Sequence, residues 1–301
     1  MEKSLIRSRK ERLTQSDLSE YIRPITDEER GQLQQVLLDM YKDLLLVCNK
    51  QGLVPYLCGG SALGAIRHQG FIPWDDDLDI AMTRSDFNKL VKIFQRELGE
   101  AYILNAPNCS KNAKARFPKI IKKGTIFREV GTVKDPELEG VFLDIFIIDN
   151  VPDNKFVRTV KGGICNAEEF ISGCVYDYEN LDDVAKKYHK QSGHLLYNMR
   201  MTIGRLFSVI PSSNWFHAID KTLRWRDDNS KDCTLGQGRY HYFGEILPRD
   251  TIFPPRYCDF CGIDAPVFHQ VEYYLKNMYG DYMQIPPEEK RESHHIIKLQ
   301  L

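Results

Sequence analysis

Leu57-Cys58-Gly59-Gly60-Ser61-Ala62-Leu63-Gly64-Ala65-Ile66-Arg67-His68-Gln69-Gly70-Phe71-Ile72-Pro73-Trp74-Asp75-Asp76-Asp77-Leu78-Asp79-Ile80-Ala81-Met82 sets a short strand, a glycine turn, a helix and an acidic strand in immediate succession. Val54–Cys58 reads as the strand and Gly59-Gly60-Ser61 as a tight turn. Ala62–Arg67 begins a helix that Gly70 and Pro73 break. From Asp77 onward acidic and apolar residues alternate, so Asp77 and Asp79 project to one face while Leu78 and Ile80 enter the core. Two carboxylates this close repel unless a cation lies between them. A hard divalent ion, Mg²⁺ or Mn²⁺, suits an all-oxygen donor set. Asp77 and Asp79 are therefore candidate ligands, with Asp75 orienting them or holding a second ion; a solvated acidic patch is the alternative.

Moving outward, Thr26-Asp27-Glu28-Glu29 has capping-box spacing, and Leu33, Val36, Leu37, Met40, Leu44 and Val47 follow helical spacing. This predicts a helix over about 27–50, stopped by Gly52. Thr83 caps a helix whose apolar face is Phe87, Leu90, Val91 and Phe94. Lys119–Thr125 reads as strand and turn, and Gly140–Ile148 as a strand that is apolar apart from Asp144. A lone carboxylate there is costly unless paired or metal-bound. Beside the Asp77/Asp79 strand it would complete a three-carboxylate centre; at a strand end, backbone amides would satisfy it. Gly60 and Ser61, at a helix start, are candidates to meet phosphate oxygens.

The second half has a different texture. Ala185–Ile210 has helical character, and Trp215, Phe216, Ile219, Leu223 and Trp225 line one face of a helix after Ser213. That stretch either packs on the catalytic part or rests on a membrane surface. Gly236–Pro255 reads as short strands and loops, Val267–Tyr279 as a helix, and Pro286-Pro287 as the start of an exposed tail. The expected fold is α/β (α+β): a mixed sheet with flanking helices and a helical, irregular C-terminal part. The expected division is a polar arm over 1–25, a catalytic core over 26–155, and a part over 156–301 that packs on the core and completes the substrate site.

Composition narrows the classes. The 301 residues carry 41 Lys+Arg against 42 Asp+Glu, a formal net charge of -1, which provides no general field for nucleic acid. A hydrophobic content of 42% fits a globular chain. No leader and no membrane-spanning run is visible, and eight scattered cysteines are too sparse for a disulfide scaffold. The expectation is a reduced, cytoplasmic protein without a transmembrane segment, with peripheral association at the inner face of the membrane left open. Cys258-x-x-Cys261 has zinc-like spacing but lacks a second pair, so isolated thiols are the favoured reading.

A glycine turn opening a helix, a downstream Asp-x-Asp and a later strand Asp together resemble the nucleotidyltransferase superfamily. The run Leu57–Asp79 further resembles the signature of the LicD family, which fukutin and fukutin-related protein share. Supporting matches are Lys119 with Gly124-Thr125, Phe142-Leu143-Asp144-Ile145-Phe146, and the tail from Tyr279-Gly280-Asp281 through Pro286-Pro287 to His294-His295. The resemblance covers about 30–298, with 155–235 unmatched.

The resemblance implies a nucleotidyltransferase-type core, divalent-metal chemistry and transfer of an alcohol phosphate from a CDP-alcohol. Phosphocholine from CDP-choline is the leading case, moved to a hydroxyl of a lipopolysaccharide, teichoic acid or other glycan precursor, lipid-linked or free, with release of CMP. Alternatives are ribitol- or glycerol-phosphate transfer, true nucleotidyl transfer, and a nucleotide- or glycan-binding pseudoenzyme. In this scheme Asp77, Asp79 and Asp144 hold Mg²⁺, and Asp144 also takes the acceptor proton. Gly60, Ser61, Arg67, Lys119 and Asp75 serve the phosphates, and His294 and His295 face the site. Choline would need aromatic faces, with Trp74, Tyr240, Tyr242, Phe243, Trp215 and Trp225 as candidates.

Overall fold

The structure, a computed structural model, describes residues 23–110, 113–129, 138–180, 194–225, 230–288, 291 and 295–301. In chain order the N-terminal elements are β1 (Arg23–Pro24), α1 (Asp27–Gln51), β2 (Tyr56–Leu57), α2 (Gly59–His68), β3 (Asp79–Thr83), α3 (Arg84–Glu97), β4 (Tyr102–Asn105), β5 (Lys119–Lys122), β6 (Ile126–Glu129) and β7 (Phe142–Asn150). There follow α4 (Lys155–Asn180), α5 (His194–Phe207), α6 (Ser212–Leu223), β8 (Asp232–Thr234), α7 (His241–Gly244), β9 (Ile246–Pro248) and α8 (Arg249–Ile252). The last are β10 (Arg256–Phe260), β11 (Ile263–Val267), α9 (Val271–Tyr279) and β12 (His295–Gln300).

A mixed sheet runs β10-β11-β2-β3-β7-β5-β4, with β8 and β9 continuing from the far end of β7. At its centre β3 and β7 are parallel. Ile80, Ala81, Met82, Leu143 and Ile145 are fully buried there, as expected of strands covered on both faces. Helix α1 begins in the capping box of Thr26 and Glu29 and ends at Gly52 with φ 64. Its stripe of Leu33, Leu37, Met40, Tyr41 and Leu44 belongs to the main core. Thr83 caps α3 by accepting the Asp86 N–H. The fold is the expected α/β class.

Four expectations are corrected. The tail after Pro286 is not simply exposed: β12 pairs with β1 and β6, and Ile296 is fully buried. The helix expected over Val267–Tyr279 starts at Val271, because Val267 ends β11 and pairs with Leu57. Gly59 and Gly60 do not form a separate turn; they are the first residues of α2. The 26-residue helix α4 was not anticipated. It is apolar on two sides, with Cys165 and Val175 buried and Phe156 and Ile164 exposed, so no single amphipathic stripe marks it. Of the stretch expected to be helical over Ala185–Ile210, residues 185–193 lie outside the described residues.

Residues 151–225 join the sheet through a small second core of Val151, Cys165, Phe216, Ile219, Leu223 and Tyr242. An ionic tie reinforces the junction. Arg84, buried at the start of α3, donates to both carboxylate oxygens of Asp149 on β7 at 2.8 and 2.6 Å. Its third nitrogen reaches Asp220 Oδ1 on α6 at 2.5 Å. Asp220 also accepts from Asn108 and Arg224. Arg84→Met strands Asp149, and breaking a buried pair in this way costs about 3–5 kcal/mol. Urea unfolding should show a loss of that order, with the smaller effect falling on Arg224→Met at the rim.

Candidate active site

The site is built around the N-terminus of α2. The Cys58 N–H donates to the Asp79 carbonyl at 3.1 Å, and the Asp79 N–H donates to Ser61 Oγ at 2.8 Å. These two bonds strap the first residue of β3 to the first turn of the helix. The approach depends on glycine. A Cβ at Gly59, whose φ is +54, would lie 2.8 Å from Asp79 Oδ2, and one at Gly60 would lie 2.8 Å from Asp75 Oδ2. Two carboxylates therefore meet the positive end of a helix where any side chain would displace them. The Gly59 N–H itself is held by Tyr274 Oη on α9 at 2.9 Å.

The sheet adds the third carboxylate. Asp79 on β3 and Asp144 on β7 are register partners, and Lys119 on β5 is the register partner of Asp144. Phe146, two residues beyond Asp144 on the same face of β7, lines the same cleft as Asp79. Asp144 thus lies on the Asp79 side of the sheet. Lys119 Nζ sits 2.6 Å from Asp144 Oδ1 and 3.4 Å from the centre of the Phe142 ring. Asp75, Asp76 and Asp77 can each present an oxygen within 4.8 Å of the others. Asp76 is the buried member of that group. Burial pushes the Asp79 carboxyl well above the ordinary carboxylate range. The charges of Asp77, Asp144 and Asp75 push it further, and Lys119 opposes them. Such a donor set, all oxygen and short of positive charge, fits a divalent cation.

These residues open into a cleft of about 390 Å³. Gly59, Gly60, Arg67, Asp75, Asp77 and Asp79 form one wall. Arg239, Glu245, Tyr274, Tyr279 and Arg291 come from the C-terminal half. Trp74 has the Arg291 guanidinium 4.4 Å and the Arg67 guanidinium 5.9 Å from its ring centre. Arg67 also donates to the Tyr282 carbonyl at 2.8 Å, which ties α2 to the loop after α9.

The sequence-derived residues divide accordingly. Gly60, Arg67, Asp75, Asp77 and Asp79 line the cleft; Asp144 and Lys119 stand beside Asp79 on the next two strands. Ser61, read as a phosphate contact, is buried and its Oγ is engaged by the Asp79 N–H. His294 lies outside the described residues, and of His295 only the backbone is described, paired with Pro24. Among the aromatic candidates Trp74 alone lines the cleft, while Tyr242 belongs to the second core. Cys258 and Cys261 are free thiols at the β10–β11 hairpin. Sequence reasoning missed Glu245. Its carboxyl is buried, accepts the Tyr240 N–H at 3.0 Å, and is pushed by burial up to about 7. No motif marks it; only the fold carries it to the cleft.

Residues 52–160 match the LicD/FKTN/FKRP nucleotidyltransferase domain. The chain is 27% identical over 272 residues to the lipopolysaccharide cholinephosphotransferase LicD of Haemophilus influenzae, covering 87% of this chain and 94% of the relative. It is 42% identical over 120 residues to an uncharacterized protein of Rickettsia prowazekii, 40% of this chain and 41% of that one.

Two buried carboxyls with raised pKa make stability fall with pH. Each contributes stability below its ordinary value, and that contribution is lost as pH rises through the raised folded value. For Glu245 the window runs from 4.5 to about 7, and Asp79, whose carboxyl is also raised, acts in the same direction. The chelator-treated protein should therefore melt lower at pH 8 than at pH 5. Asp79→Asn should flatten the slope and raise the melting temperature at pH 8; an unchanged slope would contradict the burial argument. Gly60→Ala should leave the fold intact but move the Asp75 carboxylate, with divalent-ion affinity, read by calorimetry, falling about tenfold or more.

Proposed function

We propose that this chain, whose residues 52–160 match the LicD/FKTN/FKRP nucleotidyltransferase domain, is a metal-dependent phosphotransferase of that family that moves phosphocholine from CDP-choline to a glycan hydroxyl. The observation that carries this reading is the cleft at the glycine-opened N-terminus of α2, lined by Asp75, Asp77 and Asp79, with Asp144 beside Asp79 on the next strand. The relative named for lipopolysaccharide cholinephosphotransferase supports the choice of alcohol and acceptor. We assign the reaction to the cytoplasmic side of the membrane, on a free or lipid-linked glycan precursor.

In the proposed reaction the acceptor oxygen attacks the phosphorus that bears choline. A new P–O bond forms, the P–O bond to CMP breaks, and CMP leaves with the electron pair. Asp77, Asp79 and Asp144 would hold Mg²⁺ or Mn²⁺, with Asp75 orienting them or holding a second ion. When bound, the ion supplies positive charge to the diphosphate oxygens. Ser61 and Cys58 fix Asp79 through its backbone. Lys119, paired to Asp144, aims that carboxylate. Arg67, Arg239 and Arg291 line the cleft and suit the donor's anionic parts.

The acceptor hydroxyl must lose a proton. Asp144 was the first candidate to take it, but its pairing with Lys119 suits it better to holding than to proton uptake. Glu245, which lines the cleft and whose carboxyl burial pushes up to about 7, is the better matched base.

The test is CMP release from CDP-choline, CDP-ribitol and CDP-glycerol with Mg²⁺ or Mn²⁺ and a glycan acceptor. CMP from CDP-choline, abolished by chelation, is expected. Preference for CDP-ribitol or CDP-glycerol would change the alcohol. Pyrophosphate release from CTP would replace the reading by nucleotidyl transfer, and binding without turnover by a pseudoenzyme. Asp77→Asn should remove turnover with the fold retained. Glu245→Gln should lower kcat by about 10²–10⁴ and remove the rising acid limb near pH 7; retention of that limb would return the proton to another group.

A further inference from the structure

Helices α4 and α5 show an unusual surface. Nineteen large hydrophobic side chains are exposed among the described residues, and twelve of them fall between 156 and 210. On α4, Phe156, Val160 and Ile164 follow four-residue spacing and are 77%, 45% and 49% exposed, with Val157 and Phe170 beside them. On α5, Leu195, Leu196, Met199 and Leu206 share one face, with Leu195 86% exposed. No described side chain of α5 is buried. The helix is seated through Gly204, where a Cβ would meet the Cys174 carbonyl at 2.3 Å, and through Arg200 bound to Asp177. A helix seated by a glycine and an ion pair, with its leucines turned outward, is built to be covered by something else.

The charge pattern identifies what covers it. The whole chain is nearly neutral at -1, yet Lys155–Ala167 contains three cations and no acid, and 184–219 contains five Lys and Arg and no acid. Lys155 and Arg205 are exposed on these helices. Arg158 is bound to Asp232, and Lys161 to the carbonyls of Thr222 and Arg224. The stripe of Phe156, Val160 and Ile164 lies on the acid-free first half of α4, and α5 carries Arg200 and Arg205 and no acid. The acids of α4, Glu168, Glu169, Asp177 and Glu179, lie in its second half, where Glu169 is buried and Asp177 is bound to Arg200. Apolar stripes on such basic segments match an anionic bilayer surface, where the stripe enters the headgroup–acyl boundary and the cations meet lipid phosphates. No helix among the described residues is long and apolar enough to cross a membrane, so the contact is parallel to the surface. The stretch carrying Trp215 and Trp225 is not this surface: Phe216, Ile219 and Leu223 are buried, and the two tryptophans are half-buried.

We propose that the outward faces of α4 and α5 form a docking surface for anionic membrane lipid, seating the protein on a bilayer by Phe156, Ile164, Leu195 and Leu206. The reading is independent of the alcohol transferred and is measured without turnover.

The experiment is co-sedimentation of the full chain with phosphatidylcholine vesicles, with and without phosphatidylglycerol. The wild type should bind the anionic vesicles and release at high salt. Leu195→Asp with Leu206→Asp should lower the partition coefficient about tenfold or more. These side chains are exposed, so the melting temperature and CMP release from a soluble donor should stay unchanged. Lys155→Glu with Arg205→Glu should remove the preference for anionic over neutral vesicles. The proposal is overturned if the wild type stays in the supernatant, or if the aspartate pair binds as the wild type does. It is equally overturned if sedimentation velocity shows a dimer that the aspartate pair dissolves, which would give the face to a second copy of the chain.

Discussion

The pairing of Asp79 with Asp144 across two parallel central strands is the constraint around which the rest of the molecule is arranged. Like charges side by side on a sheet are unfavourable, and here they lie where burial raises the cost further. The register nevertheless has little freedom to slip. A one-residue shift would turn Ile80, Met82, Leu143 and Ile145, all buried, toward the polar side. The hydrophobic pattern thus holds together two carboxylates that electrostatics would separate. Lys119 on the next strand, the positive end of α2 and the Ser61 bond to the Asp79 backbone are local compensations for a cost the core imposes.

The same logic explains the glycines. Gly59 and Gly60 clear space for carboxylate oxygens that end flexible side chains; at Gly60 an added Cβ could be accommodated by moving Asp75, whereas at Gly59 the φ of +54 itself resists a side chain. Gly64 is different. A Cβ there would meet the Gly70 carbonyl at 2.4 Å, a backbone atom that cannot step aside. The first pair sets the geometry of the cleft, and Gly64 sets how closely the loop carrying Trp74 and the acidic run returns to α2. Two neighbouring turns of one helix therefore serve chemistry and packing separately.

What was legible in the sequence is what local rules encode. The capping box at Thr26, the αL stop at Gly52 and the Thr83 cap appear where spacing placed them. The alternation beginning at Asp77 correctly marked a strand, although β3 starts only at Asp79. Asp144 stood out as one charge in an apolar run. The unread parts depend on distant partners. Helix α4 is hidden because its second apolar side faces outward. Strand β12 is hidden because its partners are β1 and β6, at the other end of the chain. Glu245 is an ordinary glutamate until the fold buries it opposite the acidic wall. Ser61 looked like a phosphate contact because Gly-Gly-Ser at a helix start invites that reading; its use in bracing Asp79 required knowing that β3 returns beside the same turn.

The charge balance of the cleft bears on how such a site would work. Five acidic side chains line it, Asp75, Asp77, Asp79, Glu245 and Asp281, against three basic ones, Arg67, Arg239 and Arg291. Fully ionised, it carries two excess negative charges, the deficit one divalent cation would fill. Burial and the neighbouring carboxylates raise the pKa of Asp79, and burial raises that of Glu245, so both carboxyls hold protons more tightly than free ones. A diphosphate brings more negative charge and cannot enter on the arginines alone. In the proposed scheme, donor binding is therefore coupled to the metal. Glu245, supplied to the cleft by the C-terminal half, has its carboxyl pushed by burial up to about 7. The separation of the two buried carboxyls, one to hold a cation and one to accept a proton, follows from which wall each element of the fold supplies.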